Sequence, residues 1–297
     1  YNDGLAGTNT TQTQGNAATP MALDIAILQD IYGANTPHNN GNNTYELPDS
    51  RDKWMAIWDT GGTDEITYDG AKETTIDLRE ATLQPEVGGG GFISAADGVA
   101  GGFTIANGAV IENATSGSGN DTLIGNTANN VLTGNGGNDQ LFGGFGEDEL
   151  NGGNNNDTLM GGAGDDEINT GSGTDTAEGN SGKDEINATS GTNTIYGGSG
   201  NDDINGGAGV DTILGGSGDD DISGGNGNDN LFGGRGDDAI NGGNNNDTLT
   251  GGMGADDLTG GSGADVFVFE FTSDSYAGAG NRDTITDFGN GADRIDL

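Results

Sequence analysis

The chain has 297 residues, of which 62 are glycine and none is cysteine; 48 acidic side chains against eight basic ones leave a formal net charge of −40. Such a charge repels a nucleic-acid backbone and an anionic membrane surface, and the lack of cysteine excludes disulfides and thiolate metal sites. Hydrophobic residues make up only 30%, too few for an ordinary globular core, so either the chain stays disordered or cations enter the fold. The fixed spacing of the acids favours cations.

In residues 1–40, Thr19 as cap, Pro20 as first helical residue and Gly33 just past the end predict a short helix. Its apolar side runs through Ile25, Leu28, Ile31 and Tyr32. The single histidine, His38, comes next in a polar loop. No apolar run approaches the roughly 18 residues of a membrane span, and the opening Tyr1-Asn2-Asp3-Gly4 lacks the basic start and apolar middle of a secretory signal. Residues 41–115 alternate short apolar runs with turns: Trp54 to Trp58, Glu65 to Tyr68, Thr75 to Leu78 and Phe103 to Ile105. They are expected to form a strand-rich N-terminal cap in which Trp54 and Trp58 seal the first turn of the glycine-rich stretch beyond residue 115.

From Ser116 to Val268 one nine-residue register repeats seventeen times without insertion or deletion. A typical unit is Gly224-Gly225-Asn226-Gly227-Asn228-Asp229-Asn230-Leu231-Phe232. Six turning residues rich in glycine are expected to alternate with three flat ones carrying a single inward apolar side chain. That eighth-position side chain is Leu, Ile or Phe in every unit except at Ala177. Two units make a coil of 18 residues, so consecutive turns fall on opposite edges. Residues 269–297 are richer in aromatic and β-branched residues, as a terminal cap on a repeat stack would be.

The sixth position is Asp at 121, 139, 148, 157, 166, 175, 184, 202, 211, 220, 229, 238, 247, 256 and 265, and Asn at 130 and 193. On one edge this stacks Asp121, Asp139, Asp157, Asp175, Asp211, Asp229, Asp247 and Asp265; on the other, Asp148, Asp166, Asp184, Asp202, Asp220, Asp238 and Asp256. An ion between turns two repeats apart would take a carboxylate from each plus backbone carbonyls, an all-oxygen environment suited to Ca²⁺ rather than Mg²⁺. Turn capping alone is the competing explanation. It would accept Asn almost anywhere, yet Asp holds fifteen of the seventeen positions in a chain already strongly negative. Asn130 and Asn193 should weaken the sites beside them, and residues 170–196, with Ala177 in the core, should loosen first as calcium falls.

The repeat G-G-x-G-x-D-x-U-x resembles the calcium-binding nonapeptide of RTX proteins. That resemblance implies an all-β chain forming a right-handed parallel β-roll, here with a short N-terminal helix and β-strand caps. The flanks are more specific. Pro20 to Asn35, then Ile57-Trp58-Asp59-Thr60-Gly61-Gly62-Thr63-Asp64, Val110-Ile111-Glu112-Asn113-Ala114, Asp283 to Asp287 and Asp293 to Leu297 resemble, in the same order, the C-terminal region of serralysin-type secreted zinc metalloproteases. The resemblance implies a further calcium at Asp59, Gly61 and Asp64, and a chain that begins just after the catalytic zinc motif, with Tyr1 as the zinc-site tyrosine. It also implies a chain ending short of the export signal. With His38 as its one histidine, the chain lacks the three-histidine zinc motif, so it carries no catalytic residue and is expected to be inactive alone, Zn²⁺ belonging to the parent enzyme.

The expected role is therefore calcium-driven folding, stability and type I export of a secreted, extracellular metallopeptidase. The expected partners are calcium ions and the type I secretion apparatus, in a monomer that meets neither nucleic acid nor a membrane span. A calcium-dependent structural or adhesive module of a surface protein, or a carrier for another secreted enzyme, is the alternative.

Overall fold

The computed structural model describes residues 41–47, 54–57, 59, 61–81, 92, 94–97, 102–269 and 282–297. The helix expected between Thr19 and Gly33, together with Tyr1, His38 and Trp58, lies outside the described residues. Among the described residues there are strands and turns but no helix.

Two twelve-stranded sheets lie back to back, with a two-stranded sheet (Trp54–Ile57 and Gly102–Ile105) at one end. Strands alternate between the large sheets along the chain, so each pairs with the strand one full coil away. Leu141 faces Leu159 and Leu150 faces Ile168, an offset of 18 residues in both cases. Pairing within the sheets is parallel except where Thr74–Asp77 meets the edge strand Ala95–Ala96. Parallel crossovers of this kind wind right-handed because strand twist allows them to pack back only that way.

The repeat block does not stand apart from its flanks. Thr44–Glu46, Glu65–Thr67 and Asn113–Thr115 lead one sheet directly into Val131–Gly136. At the other end Thr284–Ile285 and Arg294–Asp296 add one strand to each sheet. What composition marks as caps are further coils with irregular connections.

The core is two columns of eighth-position side chains pressed together between the sheets. Leu123, Leu141, Leu159, Ile195, Ile213, Leu231, Leu249 and Phe267 stack in one column, with Ala177 among them, and Leu132, Leu150, Ile168, Ile186, Ile204, Ile222, Ile240 and Leu258 in the other; all are essentially inaccessible to water. Such a core is one residue thick and grows by addition, so stability is a sum of neighbour contacts.

Strands are longer than the three flat residues expected. Most cover six, from the seventh position of one unit through the third of the next, as in Gln140–Phe145 and Thr212–Ser217. The reason is that the paired glycines open no gap in the ladder: with no Cβ, Gly144 at φ 113° still pairs with Gly162 one coil on. Only positions four to six remain for the tight turn.

The two outer faces differ. On one sheet the seventh positions stack Glu149, Glu167, Glu185, Asp203 and Asp221. On the other, the ninth positions stack Phe142, Met160, Glu178, Tyr196, Leu214 and Phe232.

Candidate metal centres along the two edges of the roll

Each turn is closed by the fourth position. Gly218 has φ 128°, and a Cβ there would run into the carbonyl oxygen of Gly200 in the coil before. Where Asn replaces this glycine, Asn155 and Asn245 take φ values of 79° and 82°, a region Asn tolerates better than other side chains.

This turn aims the sixth-position aspartate inward. All fifteen sixth-position aspartates are no more than 2% exposed. Each uses one carboxylate oxygen in a ladder along the edge: the Asp121 N–H donates to Asp139 Oδ1 at 2.7 Å, Asp139 N–H to Asp157 Oδ1 at 2.8 Å, and so on. The second edge repeats this, Asp148 N–H donating to Asp166 Oδ1 and Asp220 N–H to Asp238 Oδ1 at 2.8 and 2.9 Å. The residues read from sequence are thus brought together in two files, with Asn193 in one and Asn130 in the other.

The other oxygen, Oδ2, is buried without a hydrogen-bond partner at every one of these aspartates. No basic side chain compensates; among the described residues the ion pair is Arg79 with Asp77. Burial therefore pushes the carboxyls up, reinforced at several rungs by the neighbouring aspartates. Asp139, Asp184, Asp238 and Asp247 reach about 7. Asp148, Asp157, Asp166, Asp211, Asp220 and Asp256 reach about 6. A buried carboxylate oxygen with no donor costs stability unless a cation meets it.

The space beside that oxygen is defined by the first glycine of the unit. A Cβ on Gly224 would lie 2.6 Å from Asp229 Oδ2 and 2.8 Å from the carbonyl oxygen of Gly242, one coil on. The missing methyl keeps open a cradle between a carboxylate and a carbonyl. Among the described residues no three His, Asp or Glu side chains converge, so an ion would draw the rest of its ligands from backbone carbonyls. The donors are all hard oxygens, which suits Ca²⁺ and excludes a zinc site of histidine or thiolate type.

Two irregular units, 170–178 and 188–196, interrupt the pattern. Thr170 and Ala188, like Ser116 in the first unit, place a Cβ where the remaining units keep the cradle open, and the pairing of Glu167–Gly173 with Glu185–Gly191 is bulged there. Asn193 keeps the ladder bond from Asp175 at 3.1 Å, but its Nδ2 is buried without a partner.

The separate group Asp59, Gly61 and Asp64 is also assembled. The Gly61 N–H donates to Asp59 Oδ1 at 3.2 Å, Tyr45 OH to Asp59 Oδ2 at 2.6 Å, and Asn43 N–H to Asp64 Oδ1 at 2.8 Å. Asp64 Oδ2 is buried and unpartnered. Burial, then the nearby Asp59 charge, raises the Asp64 carboxyl.

Several participants escape the nine-residue register. Asp64 N–H donates to Glu112 Oε2 at 2.8 Å, which extends one file of the ladder toward the N-terminus. At the far end Asp256 N–H donates to Asp283 Oδ1 and Asp265 N–H to Asp293 Oδ1, both at 3.1 Å. The fifth position, free in the sequence pattern, forms an outer ladder of opposite direction: Asn156 N–H donates to Asn138 Oδ1 and Asp237 N–H to Asp219 Oδ1. Its prevalence of Asn and Asp was the available signal.

Comparison with known proteins identifies a family. Serralysin C of Dickeya chrysanthemi is 36% identical over 111 residues, 33% of this chain and 21% of that protein. A serralysin of Photorhabdus laumondii is 39% identical over 114 residues, 34% of this chain and 22% of its own. Metallopeptidase AprA of Pseudomonas marginalis is 32% identical over 114 residues, again 34% and 22%. The matched stretch thus spans about a fifth of each relative. The family described as peptidase M10 serralysin C terminal matches residues 22–297, nearly the whole chain, roll and flanks alike, and it is to this family that the chain belongs.

Proposed function

We propose that this chain is the calcium-binding region of a secreted metallopeptidase, a part that folds on meeting extracellular calcium and thereby supports the export and stability of the enzyme that carries it. The observation that carries this reading is the double file of buried Oδ2 oxygens, none with a donor and most of them facing a carbonyl. Asp121, Asp139, Asp157, Asp175, Asp211, Asp229, Asp247 and Asp265 would hold calcium along one edge; Asp148, Asp166, Asp184, Asp202, Asp220, Asp238 and Asp256 along the other; Asp59, Gly61 and Asp64 a separate ion. Calcium supplies the positive charge that lets these carboxylates stay ionised while buried.

The residues themselves set the switch. In submicromolar calcium the buried carboxylates repel and the one-residue core cannot compensate, so the chain stays expanded, a state compatible with passage through a type I secretion apparatus. At millimolar calcium, sites with Kd near ~10⁻⁴ M each contribute about 1.4 kcal/mol, and ten of them about 14 kcal/mol. Zinc chemistry in the whole protein would fall to residues this chain does not contain, since its single histidine cannot form a three-histidine site.

Far-UV circular dichroism tests the reading. Strand signal should appear cooperatively between chelator and millimolar calcium, and equal strand content in the two would refute it.

A further inference from the structure

We propose that the outer face of the sheet opposite the acidic ladder carries a binding site for a neutral pyranose sugar, with the ring of Tyr196 as its platform and Glu178 and Asn180 as its polar side. The site lies apart from the two files of buried aspartates and uses none of them.

One patch of this face breaks the repeat twice. Glu178 stands at a ninth position between Met160 and Tyr196, and from Gln140 to Thr250 it is the one charged side chain at the seventh and ninth positions of the sheet. Asn180 stands at a second position between Gly162 and Gly198 of the adjoining strands, at φ 76°. Both departures border the same hollow of about 220 Å³, lined by Glu178, Asn180, Tyr196, Gly197 and Gly198. Glu178 pairs with Tyr196 and Asn180 with Gly198, across strands roughly 4.8 Å apart. The two glycines have no side chain to fill the space beside the ring. Tyr196 is 39% exposed, whereas Phe142, Met160, Leu214 and Phe232 of the same column are half-buried. Asn180 Nδ2 donates to the Glu178 carbonyl oxygen at 3.3 Å, which holds the amide at the rim. Among the described residues the Glu178 carboxylate and the Tyr196 hydroxyl have no hydrogen-bond partner.

The chemistry of the lining selects the ligand. An aromatic face offers apolar surface to the C–H side of a sugar ring, a carboxylate accepts from its hydroxyls, and a carboxamide both donates and accepts. The hollow is smaller than the roughly 300 Å³ at which pockets for drug-sized ligands begin, so it has room for one such ring. Acidic and sulfated sugars are repelled by a chain of net charge −40. A cation would find a stronger field on the opposite sheet, where Glu149, Glu167, Glu185, Asp203 and Asp221 stack, than at one carboxylate beside a ring. A linear glycan lying along the roll would meet Leu214 and then Phe232 beyond the first ring, so an oligosaccharide should bind more tightly than its monomer.

Saturation-transfer NMR on the calcium-loaded 297-residue chain tests this, with cellohexaose, chitohexaose and mannohexaose as probes and hexalysine as the cationic control. At least one neutral hexasaccharide should bind, and Tyr196→Ala should weaken it about ten-fold through loss of the stacked ring. Glu178→Leu and Asn180→Gly restore residues that the repeat itself uses, as at Leu214 and Gly198, so both should keep the circular dichroism of the parent while losing affinity. Phe145→Ala removes a ring that is 64% exposed but lies outside the hollow, and it should leave binding unchanged. The proposal is overturned if no hexasaccharide binds, if binding survives undiminished in Tyr196→Ala and Glu178→Leu, or if hexalysine alone is bound. None of these outcomes bears on the calcium reading, whose test is the appearance of strand signal with calcium.

Discussion

Replacing Asp238 by Asn separates the cost of the buried charge from the benefit of the ion. Asp238 lies in the middle of one edge, 2% exposed, and its Oδ1 accepts from the Asp220 N–H at 2.9 Å, a bond that Asn can also accept. Burial first, then the charges of Asp220 and Asp256, raise its carboxyl from 3.8 to about 7. Holding it ionised at pH 8 without metal therefore costs about 4 kcal/mol, at roughly 1.4 kcal/mol per pKa unit. Asp238→Asn should stabilise the metal-free roll by up to that amount. The same change removes a charge from two successive sites, toward Asp220 and toward Asp256, so the stability gained between chelator and about 1 mM calcium should shrink by about 3 kcal/mol. Urea melts followed by circular dichroism, in sucrose so that the metal-free chain folds, measure both quantities. A variant that is no more stable than the parent in chelator, or that gains as much from calcium, would refute the reasoning.

Acid should have opposite effects with and without metal. The rung carboxyls are raised in the folded state, so without metal the fold binds more protons than the unfolded chain between about pH 4 and 7; its stability is retained below pH 4 and lost as pH rises through 6 to 7. Chelated protein should gain strand signal on acidification, whereas calcium affinity, measured by titration calorimetry, should rise from pH 5 to 8 as protons cease to compete. Gly224→Ala, whose methyl would crowd Asp229 Oδ2 and the Gly242 carbonyl, should lose one calcium by native mass spectrometry yet remain folded. Gly218→Ala, at φ 128° and against the Gly200 carbonyl, should lower the unfolding free energy read from urea melts by about 2 kcal/mol whether calcium is present or not. Asn138→Ala removes an acceptor for the Asn156 N–H and should cost about 1 kcal/mol without changing the ion count.

The middle of the roll joins the two kinds of knowledge. The substitutions at Ala177 and Asn193 mark residues 170–196 as weak on sequence grounds alone. The structure adds a local irregularity to that expectation: the bulge between the Glu167 and Glu185 strands coincides with Thr170 and Ala188, which bring side chains into a position that is glycine in most units. Hydrogen exchange at limiting calcium should find these amides the least protected, and uniform protection would count against a site-by-site roll.

Within the regular repeats, which side chain stacks over which one coil away is legible in the order of residues. A strict period of nine puts Leu141 over Leu159 and Asp139 over Asp157, because in a solenoid sequence spacing becomes spatial register without any long-range folding decision. The remainder needs the folded chain. Glu112, Asp283 and Asp293 enter the ladders across connections of unequal length, and no periodicity reports a pairing whose loop differs from its neighbours'. Composition could not show that flanks poor in glycine continue the same sheets, because strand pairing is a backbone interaction largely indifferent to side chains. Nor could the pattern divide the two oxygens of each aspartate, one bound to the turn before it and one left buried without a donor, since that division requires both turns to be in place at once.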